Sequence, residues 1–186
     1  MPADTITVDD DLVLRKPSLA RAEDIYPLVD SNRDHLRQWL PWVDDMRSIK
    51  DERQWLKDQL DPSNRWHHPL MVLHRGKLVG MIGVFGLNTQ ARAGEIGYWL
   101  AKEAQGQGII TRSCRAILDY VFALEGMNRV QIRAAAGNTR SRAVAERLGF
   151  TLEGVQRQAE LVNGVYLDLA MYSMLAGQWR DNRPLP

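Results

Sequence analysis

The sequence predicts a mixed α/β domain folded around one β-sheet, and three observations lead to this fold class. The chain has 186 residues, a length that suits one compact domain. Apolar residues make up 45% of it, which is enough for a substantial core. Strand-like and helix-like segments alternate without a repeat, a low-complexity tract or a linker between them. We therefore expect a single domain over residues 1–186.

The N-terminal third predicts one strand followed by helices. Residues 12–15 form a short β-prone run. Residues 19–40 carry apolar side chains at mostly helical spacings, and Pro27 is expected to split this stretch or to begin a second helix there. Ser48 is a favourable N-cap for a further helix that reaches about residue 60.

The middle of the chain predicts three strands. Residues 70–74 and 78–85 flank the turn Arg75-Gly76-Lys77, which is typical of a tight hairpin. Residues 95–100 read as the next strand. Glycines at positions 80, 83, 86 and 97 indicate bulges, or places where a neighbour or a ligand approaches the backbone closely.

The C-terminal part predicts a helix, a strand, a helix and two strands. An apolar helical stripe runs over residues 110–122, with Gly126 as its expected C-cap. Residues 129–133 are strand-like, and residues 138–148 are helical with Gly149 as the stop. The last two strands begin near residue 150 and at residue 165, on either side of the turn Asn163-Gly164.

Composition excludes several classes of protein. Lys and Arg number 24 against 23 Asp and Glu, so the net charge of +1 does not favour a nucleic-acid partner. The single cysteine, Cys114, lies on the apolar stripe of its helix and is expected in the core. His67 and His68 would point to opposite faces of a strand, so no metal site is predicted. No membrane span or signal peptide is evident, and we expect a soluble, cytoplasmic protein.

A glycine loop before the 110–122 helix is the most informative local feature. In Gln105-Gly106-Gln107-Gly108, backbone N–H groups can converge on an anion at the positive end of the helix. Ile109 follows Gly108 where an ATP-binding P-loop needs lysine, and Thr111 stands where a dinucleotide loop needs Gly or Ala. The loop is either an ordinary strand-to-helix turn or a site for a different pyrophosphate ligand.

This loop resembles the coenzyme A loop of the GNAT N-acetyltransferases, in particular the RimJ/RimL branch. The resemblance covers nearly the whole chain, with one departure: Ile110 takes the final Gly/Ala position of the family pattern. The other segments that carry it are Ile96-Gly97-Tyr98-Trp99-Leu100, Asn138-Thr139-Arg140-Ser141, Arg147-Leu148-Gly149-Phe150, Gln158-Ala159-Glu160, Asn163-Gly164, Asp168 and Tyr172.

The resemblance implies a GNAT fold: a mostly antiparallel central sheet, flanked by helices, in which two neighbouring strands splay apart to hold acetyl-CoA. The backbone of the opened strand would hold the pantetheine arm, and the N–H groups of the glycine loop would hold the pyrophosphate. The cofactor-binding residues expected on this basis are Ile96, Gly97, Tyr98, Trp99, Leu100, Gln105, Gly106, Gln107, Gly108, Ile109, Ile110, Thr111, Asn138 and Ser141.

The resemblance also implies catalytic roles. Glu160 is the expected general base, with Glu95 as the alternative, and Ser141 faces the sulfur of the thioester. Many GNAT enzymes place a tyrosine acid where this chain has Ala145, so Ser141 is expected to donate a hydrogen bond to the leaving thiolate. Asp168 is expected to be structural or to position the substrate. Asn138 is either a helix N-cap or a coenzyme A contact.

The acceptor is expected to be an amine, and the resemblance favours the N-terminal α-amine of a ribosomal protein. An α-amine costs about 1.4 kcal/mol to deprotonate at pH 7 and a lysine roughly 4.6 kcal/mol, so a modest carboxylate base suits the former. Residues 39–42 either pack in the core and against helices or form an apolar wall for the acceptor, and Asp44 and Asp45 after them could attract a cationic acceptor. Two alternatives remain: acetylation of a small amine, and a coenzyme A-binding regulator without catalysis. A homodimer is a further expectation, for which the tryptophan-rich N-terminal half, including Trp55 and Trp66, could supply an apolar contact.

Overall fold

The computed structural model describes residues 4–61, 63, 67–88 and 90–181 of the chain. It contains one eight-stranded sheet with the strand order β1-β2-β3-β4-β5-β6-β8-β7. The strands are β1 (Thr5–Thr7), β2 (Leu12–Arg15), β3 (His68–His74), β4 (Lys77–Asn88), β5 (Ala93–Leu100), β6 (Arg129–Ala135), β7 (Thr151–Val162) and β8 (Val165–Leu175). The α-helices are α1 (Ala22–Ser31), α2 (Arg33–Leu36), α3 (Ile49–Gln59), α4 (Ile109–Ala123), α5 (Thr139–Arg147) and α6 (Ala176–Asp181).

Among the described residues, six of the seven strand pairs are antiparallel, and β5 and β6 run parallel. The predicted mixed fold, with a mostly antiparallel sheet flanked by helices, is therefore confirmed. The parallel pair requires a crossover, and α4 supplies it between the two strands.

Helices cover both faces of the sheet and form two buried clusters. On one face, α4 packs Cys114, Ile117 and Leu118, each at most 1% exposed, against the inner side chains of the strands. On the other face, α1 and α3 pack Ile25, Val29 and Leu56 against the opposite side chains. Full burial of each such side chain is worth roughly 1.5–3 kcal/mol, so this alternation of faces fixes the strand registers.

The turns follow the chemistry of their residues. The hairpin between β3 and β4 closes with Arg75 and Gly76 both at positive φ, 51° and 75°, which matches the twist of the strands. The close approach of a neighbouring backbone predicted at Gly80 is confirmed, because a Cβ there would lie 2.3 Å from the carbonyl oxygen of Trp99 on β5. Gly86 has no close neighbour, but it adopts a φ of 59° where the β4–β5 register shifts between Phe85 and Asn88, so the bulge predicted there is confirmed.

Two expectations about helix boundaries are wrong. Helix α1 continues through Pro27. Proline has no N–H, so the carbonyl of Glu23 lacks its helical donor, but both residues lie on the exposed face, where water can satisfy that carbonyl. The break falls instead at Asn32, whose amide donates to the carbonyl of Leu28 and whose Oδ1 accepts from the N–H of Lys102 at 2.8 Å. Helix α4 ends at Ala123, and Gly126 lies in the loop beyond it.

Within the described residues, no helix is both long enough and apolar enough to cross a membrane.

Candidate active site

Strands β5 and β6 separate after a short paired stretch. Their parallel register joins Ala93 with Arg129 and ends where Glu95 pairs with Gln131. Both strands continue well beyond this point, β5 to Leu100 along β4 and β6 along β8. Part of the β5 backbone therefore faces an open gap in the sheet, which is the splayed pair that the sequence predicts.

A cleft of about 900 Å³ lies at this gap. Eleven of the fourteen residues expected to bind the cofactor line it: Tyr98, Trp99, Leu100, Gln105, Gly106, Gly108, Ile109, Ile110, Thr111, Asn138 and Ser141. The other three lie elsewhere. The side chain of Ile96 is 1% exposed in the core, Gly97 lines a second cavity, and the side chain of Gln107 donates to the carbonyl of Glu103.

The glycine loop presents the start of α4 to the cleft. Gly106 and Gly108 adopt left-handed φ values of 77° and 70°, and Gly108 is the N-cap of the helix. No side chain of the described chain caps this helix, and its first turn contains no acidic residue. The leading N–H groups are thus available to an anion at the positive end of the helix dipole.

Cationic side chains complete the anion-binding character of the cleft. Lys102, Arg140 and Arg147 line it beside the glycine loop. These residues were missed at the level of sequence, because their meeting depends on where α5 packs against α4. The chain's net charge of +1 gives no indication of such a local cluster. Three cations and a free helix start suit a ligand that carries several phosphate charges.

Gln105 is held at the mouth of the cleft by two partners. Its Oε1 accepts a hydrogen bond from Nη1 of Arg140 at 2.6 Å, and its Nε2 lies 2.7 Å from Nε2 of His35. Burial, together with the charges of Arg140 and Lys102, lowers the pKa of His35, so the neutral imidazole accepts from the amide. The Gln105 side chain is therefore held in one orientation at the cleft.

Ser141 is positioned from two directions. The side chain of Asn138 caps α5 by accepting from the N–H of Ser141 at 3.1 Å, so the N-cap interpretation of Asn138 holds while the residue also lines the cleft. The hydroxyl of Tyr98 lies 3.0 Å from Oγ of Ser141 and 3.1 Å from its carbonyl oxygen. Burial raises the pKa of Tyr98, which keeps this phenol protonated and able to donate.

The two carboxylates predicted as candidate bases, Glu95 and Glu160, lie near each other, and neither is among the residues that line the cleft. Glu95 is paired with Arg133 at 2.7 Å and accepts from Gln131 at 3.1 Å. Glu160 is partly buried, and burial raises its pKa; the nearby charge of Glu95 acts in the same direction and that of Arg133 opposes it. Within the described residues, no hydrogen bond or ion pair engages the Glu160 carboxylate, whereas Oε2 of Glu95 is engaged by both Gln131 and Arg133.

A bulge in β7 directs Glu160. The β7–β8 register shifts between Gln156 and Glu160, and Gln158 takes a positive φ of 50° within the extra residues. The carboxylate of Asp168 accepts from the N–H of Gln158 at 2.8 Å. Asp168 thus stabilises the strained backbone next to Glu160, which supports its expected structural role.

The expected acceptor wall lies between the two cavities of this region. Trp39 and Leu40 line the cleft, while Leu40 and Trp42 line the second cavity. Asp44 accepts hydrogen bonds from Nε and Nη2 of Arg37, at 3.0 and 2.7 Å, so it is less available to a cationic acceptor than the sequence suggests. Trp55 lines the second cavity, and Trp66 lies outside the described residues.

The remaining candidates have structural partners. Cys114 is fully buried, as predicted. His67 lies 2.6 Å from Oε1 of Gln59, and His74 lies 3.1 Å from Oδ2 of Asp11. In the part of the chain that the structure describes, no three His, Cys, Asp or Glu side chains are grouped as metal ligands.

The free N–H groups at the start of α4 lie among three cationic side chains, and the cleft continues into the gap between β5 and β6. These features define a class of proteins that bind an elongated, phosphate-bearing ligand, with the other end of the ligand inside the sheet. Comparison with known proteins identifies the family within this class. Residues 11–151 match the family model described as acetyltransferase (GNAT) domain. The chain belongs to the GNAT acetyltransferase family, and it is an acetyl-CoA-dependent N-acetyltransferase.

The similar proteins include enzymes and their ligand complexes. The ribosomal-protein-serine acetyltransferase of Escherichia coli (strain K12) is 30% identical over 173 residues, 92% of this chain and 97% of that protein. A structure of RimL, a ribosomal L7/L12 α-N-protein acetyltransferase in complex with coenzyme A, superposes with a TM-score of 0.90 at 29% identity, covering 94% of this chain and 99% of that one. The microcin C7 self-immunity acetyltransferase MccE, in complex with acetyl-CoA and AMP, gives a TM-score of 0.88 at 30% identity over 94% and 97% of the two chains.

Proposed function

We propose that the enzyme transfers the acetyl group of acetyl-CoA directly to the N-terminal α-amine of an acceptor protein, and that the acceptor is a ribosomal protein. The observation that carries the proposal is the unengaged carboxylate of Glu160, which lies close enough to Glu95, at the last paired position of β5 before the gap, for the charge of Glu95 to act on it. Relatives named for action on ribosomal proteins support the choice of acceptor.

The base fits an α-amine better than a lysine. Neutralising an α-amine with a pKa near 8 costs about 1.4 kcal/mol at pH 7, against roughly 4.6 kcal/mol for a lysine side chain. A carboxylate whose pKa is raised by burial is a stronger base than an exposed one. Because Glu95 is already paired with Arg133, Glu160 is the better candidate of the two.

The cleft residues divide the binding of acetyl-CoA between them. The N–H groups at the start of α4, with Lys102, Arg140 and Arg147, would hold the phosphates, and the free edge of β5 would hold the amide-bearing arm. Of the expected set, Ile96 and Gly97 contribute through their backbone, because their side-chain positions face away from the cleft.

The chemistry then needs one proton transfer and one bond exchange. Glu160 takes a proton from the acceptor amine, whose nitrogen attacks the thioester carbonyl carbon. A backbone N–H of β5 near Tyr98 stabilises the developing oxyanion, and Ser141 donates a hydrogen bond to the thiolate as the C–S bond breaks. Tyr98 holds the Ser141 hydroxyl in place, and a thiolate with a pKa of about 8.5 needs little further help.

The test is free thiol release from acetyl-CoA in the presence of peptides that copy ribosomal-protein N-termini. The matched control is each peptide with its α-amine already acetylated, which leaves its lysines free. Release with the free peptide alone supports the proposal. Release with both peptides assigns the activity to lysine, release only with small amines moves the substrate class, and cofactor binding without release for any acceptor favours the regulatory alternative.

A further inference from the structure

A second cavity lies on the face of the sheet that α1 and α3 cover. Its volume is about 250 Å³, several times the roughly 30 Å³ that a water molecule occupies in the liquid. Five aromatic residues contribute to its wall: Trp42, Trp55, Phe85, Tyr98 and Trp99. It meets the acetyl-CoA cleft at Leu40, Tyr98 and Trp99, which line both spaces. One acceptor molecule could therefore occupy this cavity and still reach the cleft.

Glu52 is the acidic residue in this apolar wall. It lies in the first turn of α3 and is 2% exposed. Its Oε1 is buried without a hydrogen-bond partner, and no ion pair of the described residues reaches its carboxyl group. Burial alone raises the pKa of this carboxyl to about 7. A carboxyl group in such a place destabilises the free protein, which is typical of residues kept for binding.

A purely structural role at the start of α3 is already filled by a neighbour. Asp51 accepts from the hydroxyl of Ser48 at 2.8 Å and from the N–H of Arg47 at 3.1 Å. It therefore supplies the negative charge that a helix N-terminus favours, from a partly exposed position where it has hydrogen-bond partners. Glu52 makes no comparable contact and points into the cavity instead.

The lining of the cavity selects the chemistry of its occupant. Aromatic faces attract cations, and a desolvated carboxylate pairs with an ammonium or guanidinium group. An entirely apolar occupant would leave the carboxyl without a partner, and an anionic one would be repelled. A cationic group at the end of an apolar stem satisfies both the aromatic walls and the carboxylate.

We propose that this cavity binds a cationic side chain of the acceptor, such as the lysine that follows an N-terminal residue, with Glu52 as its counter-ion. The inference rests on the proposed function, because it takes the acceptor to be a peptide acetylated at its α-amine. Glu52 is then a specificity-determining residue, and it does not touch the reacting atoms.

Two peptides that differ only in one ammonium group test the assignment. One carries lysine at its second position and the other carries norleucine. We expect kcat/KM to be at least tenfold higher for the lysine peptide with the wild-type enzyme, and Glu52→Gln to bring the ratio close to one, mainly through KM. Glu23→Gln, on the exposed side of α1, is the matched control and should keep the wild-type ratio. Equal kcat/KM values with the wild type, or an unchanged ratio in Glu52→Gln, would overturn the inference.

A binding measurement separates this site from the acetyl-transfer reaction. The fluorescence of the tryptophans in the cavity reports the binding of n-butylammonium, measured in the absence of acetyl-CoA. The neutral control is n-butanol. Saturable quenching by n-butylammonium that Glu52→Gln abolishes supports the site even if no peptide is acetylated, in which case the proposed function alone fails. Acetylation of peptides without any such quenching overturns the site and leaves the function standing. A further variant, Glu52→Leu, distinguishes a binding role from a folding role. We expect it to raise the melting temperature and to remove the preference for the lysine peptide. A lowered melting temperature would contradict the binding role of Glu52.

Discussion

Replacing Glu160 with glutamine should produce a defect that depends on pH. The carboxylate is partly buried and unengaged, so the substitution removes a proton acceptor without breaking a hydrogen bond of the described structure. General bases contribute about 10²–10⁴-fold to rate, and we expect kcat/KM at pH 7 to fall by about 10²-fold. Above a pH of about 8 the α-amine is already neutral in solution, so the defect should shrink there.

The assay is kcat/KM for one peptide acceptor from about pH 6 to about pH 9.5, for the wild type, Glu160→Gln and Glu95→Gln. The Glu95→Gln substitution eliminates a negative charge that raises the pKa of Glu160. It also frees Arg133 from its ion pair, and the charge of Arg133 lowers the pKa of Glu160. Both changes make Glu160 more acidic, so Glu95→Gln should keep most activity and shift the acidic limb to lower pH. Wild-type activity in Glu160→Gln at every pH, or a larger defect in Glu95→Gln, would refute the assignment of the base.

Three further substitutions test the fold and the setting of the site. Tyr98→Phe removes the hydroxyl 3.0 Å from the cleft serine; it should lower kcat and reduce the free energy of unfolding by about 1–3 kcal/mol, measured by kinetics and denaturation. Gly80→Ala places a Cβ 2.3 Å from the carbonyl oxygen of Trp99 and should cost about 1–3 kcal/mol in a thermal melt; an unchanged melting temperature would contradict the close approach. Glu153 has its pKa lowered to about 2 by Arg129 and a β8 serine, so its stabilisation, about 1 kcal/mol, is present above pH 4.5 and lost as the pH falls toward 2. In Glu153→Gln, denaturation across this range should show less dependence on pH.

Most of the fold could be predicted from local patterns. The strand at Leu12–Arg15 and the helix capped by Ser48 appear where side-chain periodicity and capping chemistry place them. The interior proline of α1 could not be predicted, because its tolerance depends on that residue facing solvent. Strand β1 has three residues and α6 has six, too few for a periodic signal. The predicted homodimer stays a prediction.

The candidate site was predictable where it follows the chain and less so where distant segments meet. The glycine loop and the Asn138 cap are contiguous with their helices, so local sequence indicated them. The contact between Tyr98 and Ser141 joins residues 43 positions apart, and only the packing of α5 beside β5 creates it. Glu52 gave no sequence signal, because an acidic residue in a helix's first turn is ordinary until its burial is known.

The gap between β5 and β6 links the enzyme's lifetime to its own co-substrate. Beyond Glu95 and Gln131 the two strands share no backbone ladder, so the sheet is joined there by three residue pairs only. The pantetheine arm of bound acetyl-CoA would bridge the edges of β5 and β6, in the place of the strand pairing that is missing there. A ligand present at 100 times its Kd adds about 2.7 kcal/mol to the free energy of unfolding. Proteases that cleave opened molecules would therefore remove the enzyme fastest when acetyl-CoA is scarce, so its abundance would follow the supply of the metabolite that it consumes.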